Sequence, residues 1–184
     1  MIEKINRPKY LYHATSVDNF SEIIKDRILI PKGKRINGLD EDTVSLFDVL
    51  SRWVEHYGHI IIEFKASQIF IKNKIYPYNY GINEDDPEFY DLPFWEAEWR
   101  AKKVKFDYHD INKTYIIEDN FLSTVDKINI IKILIEKNIK FKVIKIADLT
   151  NYSENYFIRK YKERINLSKI YNNWRNLNEL RKIL

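Results

Sequence analysis

The sequence contains no cysteine, and only four glycines, five prolines and one methionine among its 184 residues. The absence of cysteine excludes disulfides, thiolate nucleophiles and cysteine metal sites. The 13 tyrosines, 10 phenylalanines and 4 tryptophans indicate a folded chain, since disordered segments are poor in aromatic residues. No apolar run approaches membrane-spanning length, and residues 1–10 lack the apolar core of a signal peptide. We therefore expect a soluble, cytoplasmic protein that does not contact a membrane.

Charge is unevenly distributed along the chain. Residues 1–150 contain 23 basic and 24 acidic residues, whereas residues 151–184 contain 8 and 3. Apolar residues in the second segment recur at helical spacing, which predicts an amphipathic helix. We expect one domain over residues 1–150 and a basic helical tail over 151–184 packed on it. The tail's basic side chains either contact nucleic-acid phosphates or form the solvated face of a structural helix.

The most informative segment is the run of residues 94–100. Hydrophobic and charged residues alternate through it, which predicts a β-strand. Trp99 would then face the core, and Glu96, Glu98 and Arg100 would share the opposite face. Because strands are depleted in glutamate, this pattern suggests a site with two carboxylates. The alternative is a solvated edge strand with an ion pair between residues two apart.

The other patterns predict short strands alternating with helices. Helices are expected from Val17 to about residue 27 and over residues 48–57 and 123–138. Pro77 predicts that its strand lies at a sheet edge or bends. Strands are expected over residues 10–13, 43–47, 59–64, 75–80 and 141–146, and over 105–108 and 113–117, which would pair with each other across 109–110.

Several common chemical motifs are missing from the sequence. It has no glycine-rich phosphate loop, no Gly-x-Ser-x-Gly elbow and no His-Glu-x-x-His helix. His56 and His59 lack convincing further ligands nearby, so no metal site is expected. His13 ends the first strand where the chain turns into a helix N-terminus, a position that favours anions such as a pyrophosphate.

Three blocks of sequence resemble the ADP-ribosyltransferase-like superfamily. The first, YLYHATSVDNFSEII at residues 10–24, is similar to the strand-His-x-Thr-helix opening of DarT-type DNA ADP-ribosyltransferases and RNA 2′-phosphotransferases. The later blocks, which include TVSLF at 43–47 and EAEWR at 96–100, resemble a bacterial branch that contains abortive-infection proteins. The resemblance covers about residues 9–106. One departure is Asp26-Arg27, which stands where relatives usually have a glycine.

The resemblance implies an α+β fold in which a split pair of small, mostly antiparallel sheets forms a cleft for NAD, with a C-terminal helical appendage. NAD would be a substrate, and no metal is implied. Glu98 matches the carboxylate that stabilises an oxocarbenium-like ribose, and Glu96 matches the auxiliary acid that orients or deprotonates the acceptor. The residues implied in NAD binding are His13, Thr15, Arg35, Ser45, Phe47, Trp53 and Tyr57.

The function that this resemblance implies is mono-ADP-ribosylation of a macromolecule, either protein or nucleic acid, by a toxin or an effector of phage–host conflict. One alternative is a non-catalytic module of the same fold that binds protein or nucleic acid. Another is an RNA 2′-phosphotransferase. That enzyme needs several basic residues in its cleft, and only Arg35 and Arg100 are evident.

Overall fold

The computed structural model describes residues 7–31, 43–52, 57–78, 98–118 and 122–150. Three helices lie within these ranges: α1 (Val17–Asp26), α2 (Ala66–Lys72) and α3 (Thr124–Glu136). None of them is long and apolar enough to cross a bilayer. The predicted tail over 151–184 lies outside the described residues, as do Arg35, Trp53 and Glu96.

Seven of the nine described strands form one mixed sheet, which confirms the α+β class. Its order is β5-β6-β3-β1-β4-β8-β9, and β2 pairs with β7 in a separate ladder. Every pairing is antiparallel except that of β8 with β9. The strands are β1 (Tyr10–Thr15), β2 (Ile28–Leu29), β3 (Val44–Phe47), β4 (Ile60–Lys65), β5 (Tyr76–Tyr78), β6 (Glu98–Ala101), β7 (Val104–Lys105), β8 (Ile111–Glu118) and β9 (Phe141–Lys145).

The seven-stranded sheet is joined at its middle through a single pair of residues. β1 and β3 share only the pair Tyr12 and Phe47, whereas β1 pairs with β4 through six residues and β3 with β6 through four. The sheet thus consists of a three-stranded ladder, β5-β6-β3, and a four-stranded ladder, β1-β4-β8-β9. The resemblance implies a split pair of small sheets, whereas the described strands form one seven-stranded sheet whose two ladders join at this single residue pair.

The three helices cover one face of the sheet. Alternation along the strands directs Leu11, Leu46, Ile62 and Trp99 into a single core with Phe20 of α1 and with buried residues of α2 and α3. A smaller cluster on the opposite face includes Tyr12, Phe47, Ile61 and Leu149. Because both faces of β4 are covered, its run of three isoleucines is fully buried.

Helix α1 begins and ends as its sequence predicts. The Ser16 side chain caps it by accepting a hydrogen bond from the amide of Asn19 at 3.4 Å. The helix ends at Arg27, whose φ of 54° is left-handed. Glycine adopts this conformation most readily, but here an arginine adopts it.

Two predicted features differ from the structure, and one observed helix was not predicted. Residues 48–52 form no α-helix, and residues 53–56 lie outside the described ranges. The strands expected at 105–108 and 113–117 do not pair with each other, because β7 pairs with β2 while β8 pairs with β4 and β9. Between them, a 3-10 turn covers Tyr108–Asp110. Helix α2 was not expected, since its seven residues are too few to show a clear helical period.

An ion cluster joins α2 to the turn that precedes β8. The Asp110 carboxylate is fully buried, and the Lys72 ammonium lies 2.5 Å from it and 2.7 Å from Asp107. Arg27 adds a contact of 3.3 Å to Asp107. Hydrogen bonds to the two carboxylates raise the pKa of Lys72, and the bond from Lys72 lowers the pKa of Asp107.

We expect Lys72→Met to destabilise the fold by about 2 kcal/mol, because the buried Asp110 carboxylate loses the ammonium group that contacts it. The lowered pKa of the Asp107 carboxyl means that its bond to Lys72 stabilises the protein above the unfolded pKa, near 4, and that this contribution is lost as pH falls. The melting temperature of Lys72→Met should therefore fall less between pH 6 and pH 3 than that of the unmodified protein. Lys25→Met, on the exposed surface of α1, is the control. An unchanged acid profile in Lys72→Met would contradict this account.

Candidate functional site

A cavity of about 250 Å³ lies where β1 and β3 separate. Its walls come from the C-terminal end of β1, the start and one face of α1, the chain from Ile28 to Pro31, and β3. Five of the residues implied in NAD binding line it: His13, Thr15, Ser45, Phe47 and Tyr57. The cavity lies here because β1 and β3 share only one residue pair. If the two strands were paired along their whole length, they would close it.

His13 spans the gap between the two ladders. Its Nδ1 lies 3.0 Å from the carbonyl oxygen of Ser45. A carbonyl oxygen only accepts, so the ring donates from Nδ1, and in the neutral ring Nε2 is then an acceptor. The imidazole thereby satisfies a β3 carbonyl at the edge of the gap. Thr15 and Ser45 also line the cavity and are only 4% and 7% exposed.

An aromatic pair forms part of the cavity wall. The rings of Phe47 and Tyr57 lie 5.2 Å apart between centroids and are tilted by 47°. Such a pair offers apolar surface to a planar ring. Next to Tyr57, Gly58 has a φ of 148° and lies directly against the Thr15 backbone. This close approach connects the aromatic wall to the end of β1.

Helix α1 contributes an acidic wall that the sequence did not reveal as part of a site. Asn19, Glu22 and Asp26 all line the cavity. Their spacing of three and then four residues places them on one helix face. That spacing is visible in the sequence, but exposed acidic residues on a helix are ordinarily only solvated.

Glu98 lies one strand away from the cavity. In the β3–β6 ladder it pairs with Phe47, which lines the cavity. His13 in β1 and Glu98 in β6 are separated by β3 alone, so about 10 Å separates their strands. That separation is within the span of a dinucleotide.

The interpretation of residues 94–100 as a solvated edge strand is wrong for the part that is described. β6 lies between β5 and β3, and Arg100 is fully buried. The Arg100 guanidinium donates to the Thr43 hydroxyl at 3.4 Å. Trp99 packs in the core as predicted and donates from its indole to Asp48 at 3.2 Å. Trp99 and Arg100, which lie on opposite faces of β6, are therefore both buried.

A second buried carboxylate, Glu63, lies on the face of the sheet opposite the helices. It is 4% exposed, and it accepts hydrogen bonds from Asn112 and, at 2.8 Å, from the Tyr115 hydroxyl. Burial and this carboxylate raise the pKa of Tyr115 and also that of Tyr12. Because these donors satisfy the Glu63 carboxylate, we assign the cluster a structural role.

Asp107, His109 and Asp110 have ligand atoms within 4.8 Å of one another, a spacing that metal sites also show. The Lys72 ammonium already contacts both carboxylates. We therefore assign this group to the ion cluster described above.

No protein-family model matches the chain, and no curated protein matches it.

The candidate site consists of a cavity between two sheet ladders, with a histidine at the gap, an aromatic pair on one wall and acidic residues on the other.

Proposed function

We propose that the protein is an NAD-dependent mono-ADP-ribosyltransferase that modifies a macromolecule, either protein or nucleic acid. The observation that carries the proposal is the cavity between the two ladders. It brings together His13, Thr15, Ser45, Phe47 and Tyr57, although they are spread over 45 positions of sequence (57 − 13 + 1). A role as a toxin or an effector in phage–host conflict is part of the same proposal.

The cavity walls offer a partner for each part of a dinucleotide. The α1 N-terminus, which starts at Ser16, favours the pyrophosphate because its backbone amides point outward. The rings of Phe47 and Tyr57 suit the nicotinamide, and the His13 imidazole suits a ribose hydroxyl.

In the proposed reaction the bond between nicotinamide and ribose breaks. Nicotinamide leaves with the bonding electron pair, so positive charge develops on the ribose, as in glycoside hydrolysis. The Glu98 carboxylate stabilises that charge and accepts a hydrogen bond from the ribose 2′-hydroxyl. A nucleophile of the acceptor then attacks the ribose carbon, and Glu96 orients the acceptor or removes its proton.

One feature weighs against the RNA 2′-phosphotransferase alternative. Arg100, one of the two arginines considered for binding the RNA phosphate, is fully buried and does not line the described cavity. Glu22 and Asp26, which do line it, would repel that phosphate. Measuring whether NAD is consumed distinguishes the enzyme from a non-catalytic module of the same fold.

The direct test is to incubate the purified protein with cell extract and NAD labelled in its adenosine part. We expect released nicotinamide and label bound covalently to one class of macromolecule. Fractionation into protein, DNA and RNA, followed by mass spectrometry, would identify the acceptor. Binding of NAD without consumption would favour the non-catalytic module, and absence of both would refute the proposal.

A further inference from the structure

We propose that Glu22 and Asp26 make the cavity selective for NAD over NADP, an inference that rests on the function proposed above. The two dinucleotides differ by one phosphate monoester on the adenosine ribose. That group carries between one and two negative charges at neutral pH, by analogy with other phosphate monoesters. The walls of the cavity therefore decide whether this added charge is tolerated.

The α1 wall changes its electrostatic character along its length. Its N-terminal end, at Ser16, carries the partial positive charge of the helix dipole, and its C-terminal end carries partial negative charge. Glu22 and Asp26 add two carboxylates to the C-terminal half, about 9 Å and 15 Å along the helix from Ser16. One wall thus favours an anion at one end and disfavours it at the other.

A dinucleotide with its pyrophosphate at Ser16 and its nicotinamide ribose at His13 would place its adenosine ribose towards these carboxylates. A ribose diol donates hydrogen bonds, which Glu22 and Asp26 can accept. A 2′-phosphate would remove a donor and set like charges against each other. Rossmann dinucleotide-binding folds, which differ from this one, use the same chemistry: a carboxylate for the ribose 2′-hydroxyl and an arginine for the 2′-phosphate. The cavity-lining residues that the structure describes include neither lysine nor arginine.

The test is calorimetric titration of the full chain with NAD and with NADP. We expect NAD to bind at least about tenfold more tightly at low salt, with the ratio narrowing as salt screens the repulsion. The double variant Glu22→Gln/Asp26→Asn should reduce the ratio severalfold, mainly by strengthening NADP binding. Glu22→Lys should reduce it further. Both acidic side chains are exposed, so the variants should fold, and melting curves would verify this.

Asp18→Asn is the matched control, since Asp18 is an exposed acidic residue of α1 that does not line the cavity. It should leave the ratio unchanged. Equal affinities of the unmodified chain for NAD and NADP would overturn the inference and leave the proposed function standing. A ratio that survives in the double variant would overturn the assignment to these two residues. Failure to bind NAD at all would instead refute the proposed function, and the inference with it.

Discussion

Glu98→Gln should lower ADP-ribose transfer by a factor on the order of 10² or more. Glutamine keeps the size and hydrogen-bonding ability of the side chain but removes the charge that would stabilise an oxocarbenium-like ribose. NAD affinity should change far less, because that positive charge develops only as the bond to nicotinamide breaks. The measurement is the initial rate of nicotinamide release together with label incorporated into the acceptor.

The control for this variant is Glu118→Gln. Glu118 ends β8, is exposed and pairs with Lys127, so its substitution removes a sheet carboxylate away from the cavity. It should leave the rate unchanged. If Glu98→Gln retained full transfer activity, Glu98 would not be the catalytic carboxylate, and the paired Glu-x-Glu pattern would lose its functional meaning.

Glu96→Gln should separate the two halves of the reaction. We expect it to impair transfer to the acceptor more than hydrolysis of NAD, because water can attack without being oriented by the protein. The ratio of free to bound ADP-ribose should therefore rise. An equal loss of both activities would assign Glu96 to bond breaking instead.

Gly58→Ala should destabilise the protein by about 3 kcal/mol or more, which lowers the melting temperature by roughly 6–12 °C for a chain of this length. A Cβ atom at this position would lie 2.1 Å from the Thr15 carbonyl oxygen and 2.9 Å from the Ser16 amide nitrogen. Both are backbone atoms, so neither can move aside at low cost. The φ of 148° adds strain for any side chain. Thermal unfolding followed by circular dichroism measures the change.

Asn138→Ala is the comparison for Gly58→Ala. Asn138 also has a positive φ, of 53°, at the end of α3, so this variant measures backbone strain, at about 1 kcal/mol. The difference between the two variants isolates the steric contact with β1. If Gly58→Ala were no more destabilising than Asn138→Ala, the loop at Gly58 would have to move readily. The end of β1 would then not be fixed by this contact.

Local patterns in the sequence predicted most strands correctly. Alternation placed Trp99 in the core, and the strand expected over residues 59–64 is β4, whose isoleucine run is buried. Ser16 and Ser123 each cap the helix that was expected after them. These features depend on neighbours within a few residues, which is the range that sequence periodicity samples.

The parts that could not be predicted depend on contacts between distant segments. Arg100 is buried because β5 and β3 flank its strand, and that pairing is not encoded near residue 100. Likewise, His13 and Ser45 lie 32 positions apart in the sequence and meet only because β1 and β3 are neighbours in the sheet. The resemblance suggested these residues for one cleft, whereas the acidic wall of α1 became visible only with the cavity itself.

The two outermost strands of the described sheet bear on whether a second molecule can extend the sheet. An outer strand exposes unpaired backbone groups on which a second molecule can extend the sheet. β5 has three residues, and Pro77 in its centre lacks one amide donor, in keeping with the edge position that this proline predicted. At the opposite edge, β9 carries the exposed Lys142 and Lys145. Pairing of this edge with the same edge of another copy would bring like charges together. Both edges of the sheet therefore disfavour intermolecular strand pairing.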